Sequence, residues 1–142
     1  MNEIFLISEE NEFFKEWIKK EWASHNDVDL FYQINLDEDI VFDKQEFYYK
    51  IMKNNEMLGF VGLKLKDDKI FDSHILYIYR LYIDEKYRNL GIGTQVMNAL
   101  IDMAKKMNRD IELECFGNNP AIHLYERMGF KENYKNMILK IN

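Results

Sequence analysis

The residues best suited to chemistry lie in the second half of the chain. Arg88-Asn89-Leu90-Gly91-Ile92-Gly93-Thr94 sits between a β-branched and aromatic run, residues 75–83, and an amphipathic stretch, residues 91–107. A helix that starts there exposes unpaired backbone N–H groups and a partial positive charge, which together suit an anion. Glycines at 91 and 93 remove Cβ atoms, so a diphosphate can approach the backbone closely. The same residues also read as an ordinary strand-to-helix turn. No Gly-Lys-Ser/Thr follows, which excludes the Walker loop, and the third glycine and ribose-binding acid of the dinucleotide fingerprint are missing. Further on, Glu112 and Glu114 alternate with Ile111, Leu113 and Cys115, so two carboxylates share one strand face. They suit either proton transfer or a solvent-facing ladder. His25, His74 and His123 are isolated, and no metal is expected. Cys115, the single cysteine, is expected as a buried strand thiol rather than an acyl-carrying nucleophile.

These groups need elements to hold them. Residues 3–7 read as a first strand, followed by a helix over 9–23 whose apolar positions Phe13, Phe14, Trp17, Ile18 and Trp22 recur at three and four. Ser8, followed by glutamates, is the expected cap. The stretch 24–44 is acidic and weakly patterned, and reads as loop. Runs at 46–52, 57–66 and 75–83 read as strands, the first two joined at Asn54-Asn55. Ile92, Val96, Leu100, Met103 and Met107 make one stripe of a helix. A strand over 111–116 follows, and Asn119-Pro120 starts a helix that stops near Gly129. A last strand is expected over about 134–141. The order β-α-β-β-β-α-β-α-β predicts an α/β (α+β) domain with a mixed central sheet and flanking helices, one domain over residues 1–142.

Composition narrows the partners. A formal charge of −6 disfavours nucleic acid, and no apolar run is long enough to span a membrane. One cysteine and an N-terminus without a basic start point to a reducing compartment, the cytoplasm. The charge is unevenly spread: residues 1–74 carry 17 acidic and 9 basic side chains, residues 75–142 carry 8 and 10. That split reads either as a solvated acidic face or as a cation-attracting first half beside an anion site.

Two segments resemble known motifs. Residues 82–93, Tyr82 to Gly93, look like motif A of the GNAT superfamily of N-acetyltransferases. Residues 118–130, Asn118 to Phe130, are similar to its motif B. The resemblance covers roughly residues 75–131, in the family's order and separation. It implies acetyl-CoA as cosubstrate, no metal, and two parallel strands, 75–83 and 111–116, splayed around the pantetheine arm. Leu81, Tyr82 and Ile83 would pair with the pantetheine amides, and Arg88, Asn89, Leu90, Gly91, Ile92, Gly93 and Thr94 would hold the pyrophosphate. Lys86, Arg88 and Arg109 become candidates for the adenosine-side phosphates, and Asn118 matches the pantetheine-contacting Asn.

Tyr125 matches the tyrosine that in relatives points at the coenzyme sulfur. A phenol with a pKa of about 10 keeps its proton near neutrality and can donate it to a departing thiolate. Relatives place a general base on a central strand. Of Glu112 and Glu114, the resemblance puts Glu114 nearer the thioester, as the expected base, while strand 75–83 departs from the family pattern by offering Tyr77, Tyr79 and Arg80 but no acid. The resemblance thus implies transfer of an acetyl group to a primary amine by direct attack, on a small cationic amine or on a protein N-terminus or lysine. A non-catalytic acyl-CoA-binding module is the alternative of another class. Asp27, Asp29, Asp37, Glu38 and Asp39 are candidates for drawing in the acceptor, and the chain is expected as a monomer or homodimer.

Overall fold

A computed structural model of the protein describes residues 3–25, 35–115 and 121–141. Five strands form one sheet in sequence order: β1 (Phe5–Glu9), β2 (Phe47–Lys53), β3 (Glu56–Asp68), β4 (Ser73–Ile83) and β5 (Asp110–Leu113). The first four are antiparallel neighbours, and β5 lies parallel to β4. The β2–β3 hairpin closes on Asn54-Asn55 with φ of 51° and 66°. Both values are positive, as a tight primed turn requires, and asparagine tolerates that conformation. The parallel pair needs a crossover, which α2 (Ile92–Met107) supplies.

Helices cover both faces. On one, Ile92, Val96, Met97, Leu100 and Ala104 of α2 pack on Ile51, Val61, Leu63, Leu76 and Ile78. Leu124, Tyr125, Met128 and Phe130, from α3 (Ile122–Arg127) and the turn after it, extend that layer. On the other face a 3-10 turn, Asn11–Phe14, runs into α1 (Lys15–His25), and Phe14 and Ile18 pack with Ile40, Tyr48 and Phe60. Phe14 stacks on Tyr48 with centroids 5.2 Å apart. Burying each such ring contributes roughly 1.5–3 kcal/mol, so both layers hold the sheet.

The elements depart from the sequence reading in four places. Ser8 lies inside β1, and the 3-10 turn starts at Glu10 with no side-chain cap. Met107 is 40% exposed, whereas Met97 and Ala104 are buried, because the stripe of a straight helix drifts from a fixed repeat. Strand β5 ends at Leu113, and Cys115 beyond it is exposed rather than buried. Residues 130–141 form no strand: Met137, Leu139 and Ile141 alternate but are 81–88% exposed, with no layer opposite them. Alternation specifies a strand only where one face is covered. The expected helix start at Asn119-Pro120 lies outside the described residues, as do Asp27 and Asp29.

Candidate active site

The two parallel strands part. β5 pairs with β4 only from Ile75–Asp110 to Ile78–Leu113, while β4 continues to Ile83 against β3. Opposite β4, Gly62 faces Arg80 and Leu63 faces Ile78, so Tyr79 is the extra residue of a bulge at the point of divergence. Asp84 N–H donates to the Leu58 carbonyl at 2.8 Å, which sets the alternation beyond the bulge. Arg80 and Tyr82 direct their backbone groups to β3, and Leu81 and Ile83 direct theirs to the open edge. Their partners agree. The Ile83 carbonyl accepts from Arg88 Nε at 2.8 Å, and the Leu81 N–H lies close enough to the Glu21 carboxylate to lower its pKa.

The glycine turn stands at the end of that edge. Asp84 caps the 3-10 turn Glu85–Tyr87 by accepting from Lys86 N–H, and the chain then reverses through Asn89 (φ 62°) and Gly91 (φ 78°) into α2. Gly91 is the N-cap residue, its carbonyl accepting Gln95 N–H, so the first-turn N–H groups of Ile92, Gly93 and Thr94 precede any i−4 acceptor. A Cβ on Gly91 would meet no atom within 4 Å, so its surroundings are open. One on Gly93 would stand 3.1 Å from Leu124 Cδ2, which shows how closely α3 approaches the loop. Arg88 lies over Tyr82, and Lys86 over Tyr87.

Tyr125 is half-buried beside the opening, its ring edge-on to Phe130 with centroids 5.9 Å apart. Burial, with a smaller contribution from Cys115 nearby, pushes its phenol up to about 12. Glu114 lies just past the end of β5, on the α1 side of the sheet with Glu112 and Tyr77. Glu112 is neutralised by Lys66 at 2.6 Å. Glu114 accepts from Tyr134 Oη at 3.0 Å and lies near Tyr77, whose phenol is pushed up to about 12 by burial and then by Glu114. Lys64 and Lys66 cover the rings of Tyr79 and Tyr77 at 3.9 and 4.1 Å.

A buried polar chain also reaches this opening. Glu21 is 3% exposed, and its Oε1 stands 3.1 Å from Arg80 Nη1. Arg80 Nε donates to Tyr48 Oη at 3.1 Å, and Tyr48 donates to Glu46 Oε1 at 2.8 Å. Burial pushes Glu21 up to about 7, against the lowering pull of Arg80. Sequence reasoning missed this glutamate, although a signal exists: Phe14, Ile18 and Glu21 fall at spacings of four and three, which puts a carboxylate on the helix's apolar stripe.

One expected residue stands elsewhere. Arg109 lies at the opposite end of β4, where it pairs with Asp67 at 3.1 Å and donates to the Ile75 carbonyl, so it is no phosphate ligand of the glycine turn. The crossover helix puts its two ends at opposite ends of the strand it covers, and Arg109 follows the far one. Asn118 lies outside the described residues. His74, isolated in sequence, bonds Asp67 through Nδ1 at 2.7 Å.

The sequence model of the acetyltransferase (GNAT) family matches residues 9–130. The chain belongs to the GNAT acetyltransferase family. GNAT relatives include an N-alpha-acetyltransferase of Sulfurisphaera tokodaii, 38% identical over 52% of this chain and 44% of its own length. A spermine/spermidine N(1)-acetyltransferase of Bacillus subtilis is 33% identical over 63% of this chain and 64% of its own length. The matched stretch thus spans about half to two thirds of these relatives. A solved structure of a BH1408 protein variant from Bacillus halodurans superposes with a TM-score of 0.74 at 18% identity, covering 98% of this chain and 99% of that one. The mixed sheet with flanking helices is therefore the GNAT fold.

Proposed function

We propose that this GNAT protein is an N-acetyltransferase that moves the acetyl group of acetyl-CoA onto a small cationic amine by direct attack in a ternary complex. The observation that carries the reading is the open edge of β4 leading straight into the glycine turn. Leu81 and Ile83 offer N–H and C=O groups to the two pantetheine amides, as an added strand would use them. The N–H groups of Ile92, Gly93 and Thr94, with the α2 dipole, take the pyrophosphate. Arg88 exchanges the Ile83 carbonyl for a phosphate oxygen. Asn118, Asn89 and Leu90 complete the binding segments by their family positions. Backbone donors dominate this site, which is how a chain of net charge −6 binds a polyanion.

Holding amine and thioester together supplies much of the rate by proximity. A backbone N–H on the β4 edge steadies the oxyanion of the tetrahedral intermediate. Tyr125 holds its proton firmly, so it serves the departing sulfur as a hydrogen-bond donor through the transition state. Glu114, at the mouth with Tyr77 and Tyr134, draws in the acceptor's ammonium. The acidic first half and the spermidine-acetylating relative both favour a cationic acceptor. The N-alpha-acetyltransferase relative favours a second reading, a protein N-terminal amine. The same proposal puts the enzyme in the cytoplasm as a monomer or homodimer, with neither nucleic acid nor membrane as partner. Among the described residues no helix is long and apolar enough to cross a membrane.

Thiol release from acetyl-CoA, followed with spermidine, lysine and an alanine-terminated peptide, tests this directly. Turnover with spermidine above the peptide is expected. Binding of acetyl-CoA, seen as a raised melting temperature, without turnover of any amine would leave only the acyl-CoA-binding module. At 100 times its Kd the cosubstrate should add about 2.7 kcal/mol of stability, and ATP or NAD should add none. Gly91 gives a sharper check. Its φ of 78° makes Gly91→Val cost roughly 1–2 kcal/mol and reshape the turn, raising the KM for acetyl-CoA about tenfold. Gly91→Asn should bind nearly as the parent, because Asn89 and Asn108 already hold φ of 62° and 56° here. Equal KM values for the valine variant and the parent would remove the turn from the cofactor site.

A further inference from the structure

We propose that Glu21 of α1 is the group that takes the proton from the attacking amine. The inference rests on the acetyltransferase reading above and deepens it. The carboxylate lies on the α1 face of β4, held by Arg80 at the start of the parted stretch, and the N–H of Leu81, which faces the parted edge, lies close enough to lower its pKa against the larger effect of burial. A pantetheine carbonyl seated on that edge takes the same N–H, which leaves the Glu21 carboxylate free beside the bound cofactor. Arg80, the residue before Leu81, keeps the carboxylate in reach through its 3.1 Å contact with Oε1.

The surroundings suit proton uptake. Glu21 and Glu46 both connect to the single guanidinium of Arg80, Glu46 through Tyr48 Oη. Two buried carboxylates therefore share one cation, and the excess negative charge favours either a proton or an incoming ammonium. Among the described residues Tyr82 on β4 also interacts with Glu21, and Lys20, its neighbour in the chain, pairs with Asp84 at 3.9 Å. Desolvation sets Glu21 near neutrality, where a base both accepts a proton from an ammonium and returns it to water. Glu114, by contrast, already receives the phenol of Tyr134 at 3.0 Å.

The step balances as follows. One ammonium proton passes to a Glu21 oxygen, and the freed lone pair forms the N–C bond to the acetyl carbon. Collapse of the tetrahedral intermediate breaks the C–S bond, and the thiolate leaves hydrogen-bonded to Tyr125. The second nitrogen proton passes to the thiolate, giving amide and free thiol. Glu21 then loses its proton to solvent.

The test measures kcat and KM for acetyl-CoA and spermidine between pH 5.5 and 9, with the alanine-terminated peptide and lysine as further acceptors. For the parent, log kcat should rise with pH and level near 7. Glu21→Gln should lower kcat about 100-fold, abolish that acidic limb, and leave the KM for acetyl-CoA within twofold. Glu21→Asp keeps a carboxylate for Arg80 and so secures folding. It should lower kcat about tenfold and retain the limb. An active Glu21→Gln or Glu21→Asp protein with parental kcat and limb would overturn the proposal. So would a limb that disappears in Glu114→Gln but persists in Glu21→Gln. A parent that binds acetyl-CoA but turns over none of the amines overturns the acetyltransferase reading and this inference with it.

Discussion

Tyr125→Phe should lower kcat about 100-fold while leaving the KM for acetyl-CoA within a factor of two. The phenol is half-buried, beside Cys115 and edge-on to Phe130, at the side of the parted strands. Phenylalanine keeps the ring and its packing, so the fold and the cofactor slot stay as they are. On the proposed mechanism, what disappears is one donor to the developing charge on sulfur, an interaction made only in the transition state. Burial pushes the phenol up to about 12, so it stays protonated throughout the working range. Its loss should therefore lower the rate by the same factor from pH 6 to 9, unlike the loss of Glu21, which changes the shape of the profile. Steady-state kinetics with spermidine check this, and a variant that releases coenzyme A as fast as the parent would remove Tyr125 from the mechanism.

The second large effect is expected at Gly59, which sits opposite Ile83 in the β3–β4 ladder. A Cβ there would lie 2.0 Å from the Tyr82 carbonyl oxygen and 2.9 Å from Ile83 Cα, and both are backbone atoms. No rotamer change relieves the clash, so β4 must move just where it presents its open edge. Gly59→Ala should cost roughly 1–3 kcal/mol, read as a fall in Tm on the order of 5–10 °C. The shift in Tyr82 and Ile83 should also raise the KM for acetyl-CoA several-fold. Gly93→Ala makes the comparison: its nearest contact is the flexible end of Leu124, 3.1 Å away, and its Tm should change far less. A Gly59→Ala protein with the parent's Tm and KM would show that the edge is free to adjust.

Much of this was legible because the signals are local. The span of α2, the Asn54-Asn55 turn and the β-branched run of β4 are fixed by residues near one another in sequence, and each formed where its pattern put it, although the buried stripe of α2 drifts away from Met107. The glycine turn belongs to the same class, since its conformation depends on seven consecutive residues. The C-terminal segment failed for the complementary reason. Its alternation is local, but a strand also needs a covering layer, and among the described residues none lies over Met137, Leu139 and Ile141.

By itself, then, the sequence determined the strand order, the family motifs and the turn at the N-terminus of α2. Tertiary structure decided which side chains meet there. It placed Arg109 at the wrong end of β4 for a phosphate and left Cys115 in the open. It also brought Glu21 across 59 residues of chain to Arg80, beside a strand edge that carries no acid of its own. Periodicity reports which face of an element is buried, because burial repeats with the backbone's own geometry. A contact between distant segments depends on how those faces pack, and no spacing within either segment encodes it.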